Sequence, residues 1–96
     1  MVTIPCEHIQ PIINLLEWHQ SIYPCNPTPP DFSFVRLKRL LEDMYAKHYE
    51  LCDETLFYLK EAVYDAQEYT DKCGIDSEQF SQLNEWVNNQ WKNRKP

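Results

Sequence analysis

An all-α fold is predicted by three observations on this chain of 96 residues. There is one Gly against seven Pro, the stretch 31–73 contains neither, and apolar residues in that stretch recur at the helical period. All-β folds and phosphate-cradling loops draw on glycine at positive φ, so a single glycine equips the chain poorly for either. Hydrophobic content of 43% with 14% aromatic is enough bulky side chain for a core and excludes a disordered chain, while the length allows one domain. The predicted architecture is a helical bundle built around one long, continuous or kinked, central helix flanked by two shorter helices.

The first helix is expected over about 9–23. Pro11 suits a first turn, where its missing N–H is not needed, and Ile12, Leu15, Leu16, His19, Ile22 and Tyr23 follow at helical spacing. Pro24 ends it. Residues 24–30 contain four prolines, which disfavour helix in their predecessors and give a stiff, extended linker.

From the plausible cap Asp31, the long helix is expected over about 32–73. At 100° per residue, Phe34, Leu37, Leu41, Met44, His48, Leu51, Cys52, Leu56, Leu59, Ala62, Val63, Ala66 and Cys73 share one arc, while Asp43, Glu50, Glu54, Glu61, Asp65 and Glu68 share the opposite side. Phe57 and Tyr64 stand one heptad apart, outside the apolar arc. Forty residues of helix measure roughly 60 Å, against a diameter of roughly 30–35 Å for a compact chain of this size. A continuous helix therefore calls for a homodimer that covers its stripe. A break near Cys52-Asp53 would give a monomeric bundle instead. Unbroken stripe phase favours the continuous helix.

Gly74 stands where a left-handed residue would end that helix, with Ile75 as the apolar residue of a Schellman motif. The last helix, about 77–92, has Asp76 as N-cap, Gln79 three residues on, and Ile75 and Phe80 as a hydrophobic staple. Its inner stripe is Phe80, Leu83, Val87, Gln90 and Trp91. Trp18, Trp86 or Trp91 is expected to pack against the long helix.

A formal charge of −6 argues against direct nucleic-acid binding and against an anionic membrane surface. The acidity is local, because residues 50–78 hold nine acids against Lys60 and Lys72 for a net −7. No run approaches the roughly 20 apolar residues of a membrane span, and no basic residue precedes Arg36 as a signal peptide would require, so a cytoplasmic location is expected. Cys6, Cys25, Cys52 and Cys73 form no Cys-x-x-Cys pair and are expected as buried free thiols.

The metal-ligating constellation to consider is Cys6 and His8 with His48 and Cys52, since residues four apart on a helix project together. Core packing of the same residues accounts for them without a metal, and no cofactor is expected. No Glu-x-x-His pair, Gly-rich loop or electropositive thiol setting supports an enzyme. Arg36, Lys38 and Arg39 read as solvated charge. The acidic ridge is left as the functional candidate. Glu50, Glu54, Phe57, Glu61, Tyr64, Asp65 and Glu68 would bind a protein partner with a basic surface, the aromatics serving as anchors within a charged rim. The alternative expectation is an inhibitor of phage or mobile-element type, whose carboxylates imitate nucleic acid on a nuclease or another nucleic-acid enzyme.

Overall fold

Where one long helix was expected, residues 32–73 form three helices and a short strand, and this folding back governs where each candidate side chain falls. The computed structural model describes residues 2–22 and 32–93; the Asp31 cap, Tyr23, Cys25, the linker 24–30, Arg94 and Lys95 lie outside the described residues. The elements are β1 (Val2–Thr3), α1 (Cys6–Ile22), α2 (Phe32–Tyr45), β2 (Glu50–Leu51), α3 (Asp53–Ala66), α4 (Thr70–Cys73) and α5 (Ser77–Asn93).

Helix α1 starts three residues earlier than the proline pattern implied. Pro11 is thus interior to the helix rather than in its first turn, and it is buried. The carbonyl left without its N–H partner is that of Glu7, an exposed residue of the first turn where solvent can reach it. This placement limits the usual cost of a helical proline. Ile12, Leu15, Leu16 and His19 are buried as the spacing required.

The first break follows α2. Lys47 adopts φ +63°, its N–H donates to the Met44 carbonyl at 3.1 Å, and the next N–H, of His48, donates to the Asp43 carbonyl at 2.8 Å. That pair of bonds is the Schellman ending, made by a lysine. The chain then extends through His48 and Tyr49 into β2, which pairs antiparallel with β1 in the register Val2 with Leu51 and Thr3 with Glu50. The ladder is continued by the Ile4 N–H, which donates to the Tyr49 carbonyl at 2.7 Å. Helix α3 starts from Cys52, which is extended at φ −84° and ψ 169°, so the cap is Cys52 and Asp53 is the first helical residue.

The second break lies at 67–69, where the Tyr69 N–H donates to the Ala66 carbonyl before α4 begins. Helix α4 closes as the sequence implied. Gly74 has φ +70°, its N–H donates to the Asp71 carbonyl, and the Ile75 N–H donates to the Thr70 carbonyl. The Asp76 carboxylate accepts the Glu78 N–H at 2.8 Å and caps α5, with Ile75 and Phe80 both buried beside it.

Folding back lets α2 pack on α3 while α1 and α5 close the remaining sides. Leu37, Leu41, Met44, Leu51, Leu56, Leu59, Val63, Leu83 and Val87 meet in one core. Each fully buried Leu contributes on the order of 2 kcal/mol of transfer free energy. Trp18, Trp86 and Trp91 pack on the core from its periphery. The radius of gyration is 12.7 Å, close to the roughly 12.5 Å of a compact chain of this length. No protruding helix remains to be covered, so the geometric ground for a homodimer is removed. Among the described residues no helix is long and apolar enough to cross a membrane.

Candidate functional site

Helix α3 buries Leu56, Leu59, Ala62, Val63 and Ala66, and this inner stripe turns the rest of the helix outward. Glu54, Phe57, Glu61, Tyr64 and Asp65, at spacings of three, four and seven residues, occupy the exposed side. Five of the seven ridge residues are thereby brought onto one helix face. Two are not. Glu50 lies on β2 opposite Thr3, and Glu68 lies in the turn beyond α3, exposed and just past its C-terminal end.

The ridge is uneven in charge. Glu54 Oε2 accepts a hydrogen bond from Arg36 of α2 at 3.0 Å, which neutralises the N-terminal end of the ridge. Glu61 stands 3.8 Å from half-buried Lys60, a loose pair. Asp65 and Glu68 have no basic partner among the described residues. The C-terminal end of α3 therefore carries two carboxylates without an ion pair, Asp65 and Glu68, with Lys72 lining the same cleft as Asp65.

Its two aromatics also differ. Phe57 is covered in part by Trp91 of α5, with centroids 5.3 Å apart, and by the Lys60 ammonium 5.8 Å from its ring centre. Tyr64 is 67% exposed, more than any other large hydrophobic side chain of the described residues. Of the expected anchors, Tyr64 is the one presented to solvent.

An open cleft of about 390 Å³ adjoins this end, lined by Trp18 and Ile22 of α1, Asp65 of α3, Tyr69 and Lys72. The Trp18 and Tyr69 rings stack at 5.4 Å and 29°, and Lys72 Nζ lies 5.6 Å from the Tyr69 centroid. Sequence reasoning missed this cleft. Trp18 and Tyr69 are fifty-one residues apart, and no periodicity relates them; the only clue is that Trp18 and Ile22 share a face near the end of α1.

The metal candidates are dispersed. His48 is exposed in the turn after α2, so the helical spacing that would have set it beside Cys52 does not exist. His8 is buried and its ring lies 5.3 Å from Trp86, a packing role. Cys6 is exposed at the start of α1, contrary to the expectation of a buried thiol. No three His, Cys, Asp or Glu side chains among the described residues are grouped to hold a metal ion.

Two thiols have shifted acidities. Cys52 Sγ lies 3.1 Å from Thr55 Oγ1, and this hydrogen bond, together with that from the Thr55 backbone N–H, lowers the thiol pKa against the opposing effect of burial, with a lesser help from Arg36. Burial, together with Asp71, raises that of Cys73. Cys6, Cys52 and Cys73 are free. Comparison with known proteins found no matching family model, no matching curated protein and no matching solved structure.

Proposed function

We propose that the chain is a non-enzymatic, cytoplasmic interaction module that binds a partner protein of basic surface through the outer face of α3. The observation that carries this reading is the C-terminal end of that face, where Glu61, Tyr64 and Asp65 are all exposed, with exposed Glu68 in the turn just beyond. Carboxylates with little internal compensation attract a basic surface over a Debye length of about 8 Å at physiological salt, and a solvent-presented tyrosine supplies contact area once the partner arrives. Free Cys6, Cys52 and Cys73 suit a reducing compartment. A homodimer forms no part of this reading.

Nucleic-acid mimicry is the weaker alternative. Within α3, Glu54, Glu61 and Asp65 are spread over eleven steps, about 16 Å of rise, and Glu54 is already paired with Arg36. One carboxylate per roughly 8 Å is sparse beside the phosphate density of duplex DNA, one charge per about 1.7 Å. Tyr64 interrupts the row as well.

The test is charge reversal. Glu61→Lys, Asp65→Lys and Glu68→Lys together alter only exposed side chains, so the fold should persist by circular dichroism. Loss of the captured partner is expected; unchanged capture by the folded triple variant would refute the assignment.

A further inference from the structure

The cleft where α1 meets the α3–α4 turn presents one charge of each sign. Asp65 and Lys72 both line it and both are exposed, yet they make no ion pair with each other. Lys72 Nζ lies instead beside the Tyr69 ring, 5.6 Å from its centroid, and that ring is in turn stacked on Trp18. A carboxylate and an ammonium thus stand apart on the walls of one opening. Trp18 and Ile22, the latter 43% exposed, supply its apolar lining.

This lining discriminates by charge. A guest bearing only a cation gains at Asp65 and is opposed by Lys72, and one bearing only an anion gains at Lys72 and is opposed by Asp65 and by Glu68. A guest with one charge of each sign gains at both walls. Size narrows the class further. The volume of about 390 Å³ lies at the small end of the roughly 300–1,000 Å³ of ligand pockets, and a sphere of that volume is about 9 Å across. An ammonium and a carboxylate about 3 Å apart, each reaching its wall through one charge-assisted bond of about 2.8 Å, span nearly the same distance. That is the head group of an α-amino acid, and the lining by Ile22 and Trp18 suits an aliphatic side chain.

We infer that the cleft between Asp65 and Lys72 binds a free amino acid with an aliphatic side chain, its ammonium on Asp65 and its carboxylate on Lys72. Both contacts are exposed, so the affinity is in the millimolar range. The site needs no docked partner, and Lys72 lies on α4, outside the α3 face, so it stands or falls separately from the ridge.

The test is an NMR titration of the full-length ¹⁵N-labelled chain with L-leucine, with L-leucinamide, which lacks the carboxylate, and with N-acetyl-L-leucine, which lacks the ammonium. Leucine should shift the Trp18 indole N–H and the Asp65, Tyr69 and Lys72 amides saturably. It should bind about two- to fivefold more tightly than either analogue, the worth of one exposed ion pair. Lys72→Gln should bring leucine down to the affinity of leucinamide, and Asp65→Asn should bring it down to that of N-acetyl-leucine. Both side chains are exposed, so the folded spectrum should be retained. Equal affinities for the three compounds, or variants that bind leucine as the parent does, would overturn the site. So would a stationary Trp18 indole at roughly 50 mM leucine, about tenfold above a dissociation constant in the millimolar range.

Discussion

Lys47 ends α2 with the same pair of backbone bonds by which Gly74 ends α4. In each case the left-handed residue donates to the carbonyl three residues back and its successor donates to the carbonyl five residues back. The φ values, +63° and +70°, are nearly equal. Only the side chain differs, and a Cβ in left-handed conformation costs roughly 1–2 kcal/mol.

Lys47→Gly should therefore stabilise the protein by about 0.5–1 kcal/mol, the relief of strain being partly offset by the added entropy of the unfolded chain. Gly74→Ala should destabilise by about 1 kcal/mol. A Cβ at position 74 meets no atom within 4 Å, so this cost is conformational and not steric. Urea denaturation of both variants measures the two effects. Equal and same-signed shifts would show that Lys47 is not strained.

The Arg36–Glu54 pair joins α2 to α3 across the folded-back chain, yet both side chains are well exposed, at 38% and 54%. A double-mutant cycle with Arg36→Ala and Glu54→Ala should give a coupling below about 1 kcal/mol, weakening further in salt. The core is different in scale. Leu59→Ala, at a fully buried position, should cost about 2–5 kcal/mol, a large share of the roughly 5–15 kcal/mol that stabilises a domain of this size.

The two shifted thiols should behave oppositely. Cys52, half-buried with its thiolate favoured by Thr55, should be alkylated by iodoacetamide at neutral pH well before buried Cys73. Thr55→Val should slow that reaction. For stability the signs follow from linkage. The lowered folded pKa of Cys52 adds stability above the unfolded thiol value of about 8.5, and this is lost as pH falls through the folded value. Cys73 is raised, so its contribution is present below about pH 8.5 and is lost as pH climbs through the folded value. Cys73→Ala should accordingly reduce the alkaline loss of stability measured by urea midpoints between about pH 8 and 10. An unchanged pH dependence would contradict the assigned direction.

Sedimentation at micromolar concentration should return the mass of one chain, 11.6 kDa. The principal extents of 34 × 32 × 24 Å leave no long helix in need of a partner. A stable dimer would mean that a surface other than the expected stripe drives association.

Helical class, the Gly74 ending, the Asp76 cap and the inner faces of α1, α3 and α5 were legible in the sequence because each depends on local chemistry. The break at Lys47 was not, for two physical reasons. A lysine fills the left-handed position that Gly or Asn usually marks. The interruption, residues 46–52, is also seven residues long, and at 100° per residue it advances the pattern by about 700°, within about 20° of two full turns. Leu56 and Leu59 therefore stay in phase with Leu37 and Leu41 although a strand lies between them. The outer face of α3 was readable for the same reason, since Glu54 to Asp65 fall within one real helix. Its partial neutralisation by Arg36, the cover that Trp91 gives Phe57, and the pairing of Trp18 with Tyr69 all depend on contacts between elements, which a single-chain periodicity does not encode.

The central claim is that the C-terminal half of the α3 face recruits a basic protein. It is tested most directly by affinity capture from the native host with the parent chain and the folded Glu61→Lys, Asp65→Lys, Glu68→Lys variant, at low and at high salt, followed by mass spectrometry. The expected result is a basic protein retained by the parent at low salt, released at high salt and absent from the variant. Retention of the same protein by both chains, indifferent to salt, would contradict it.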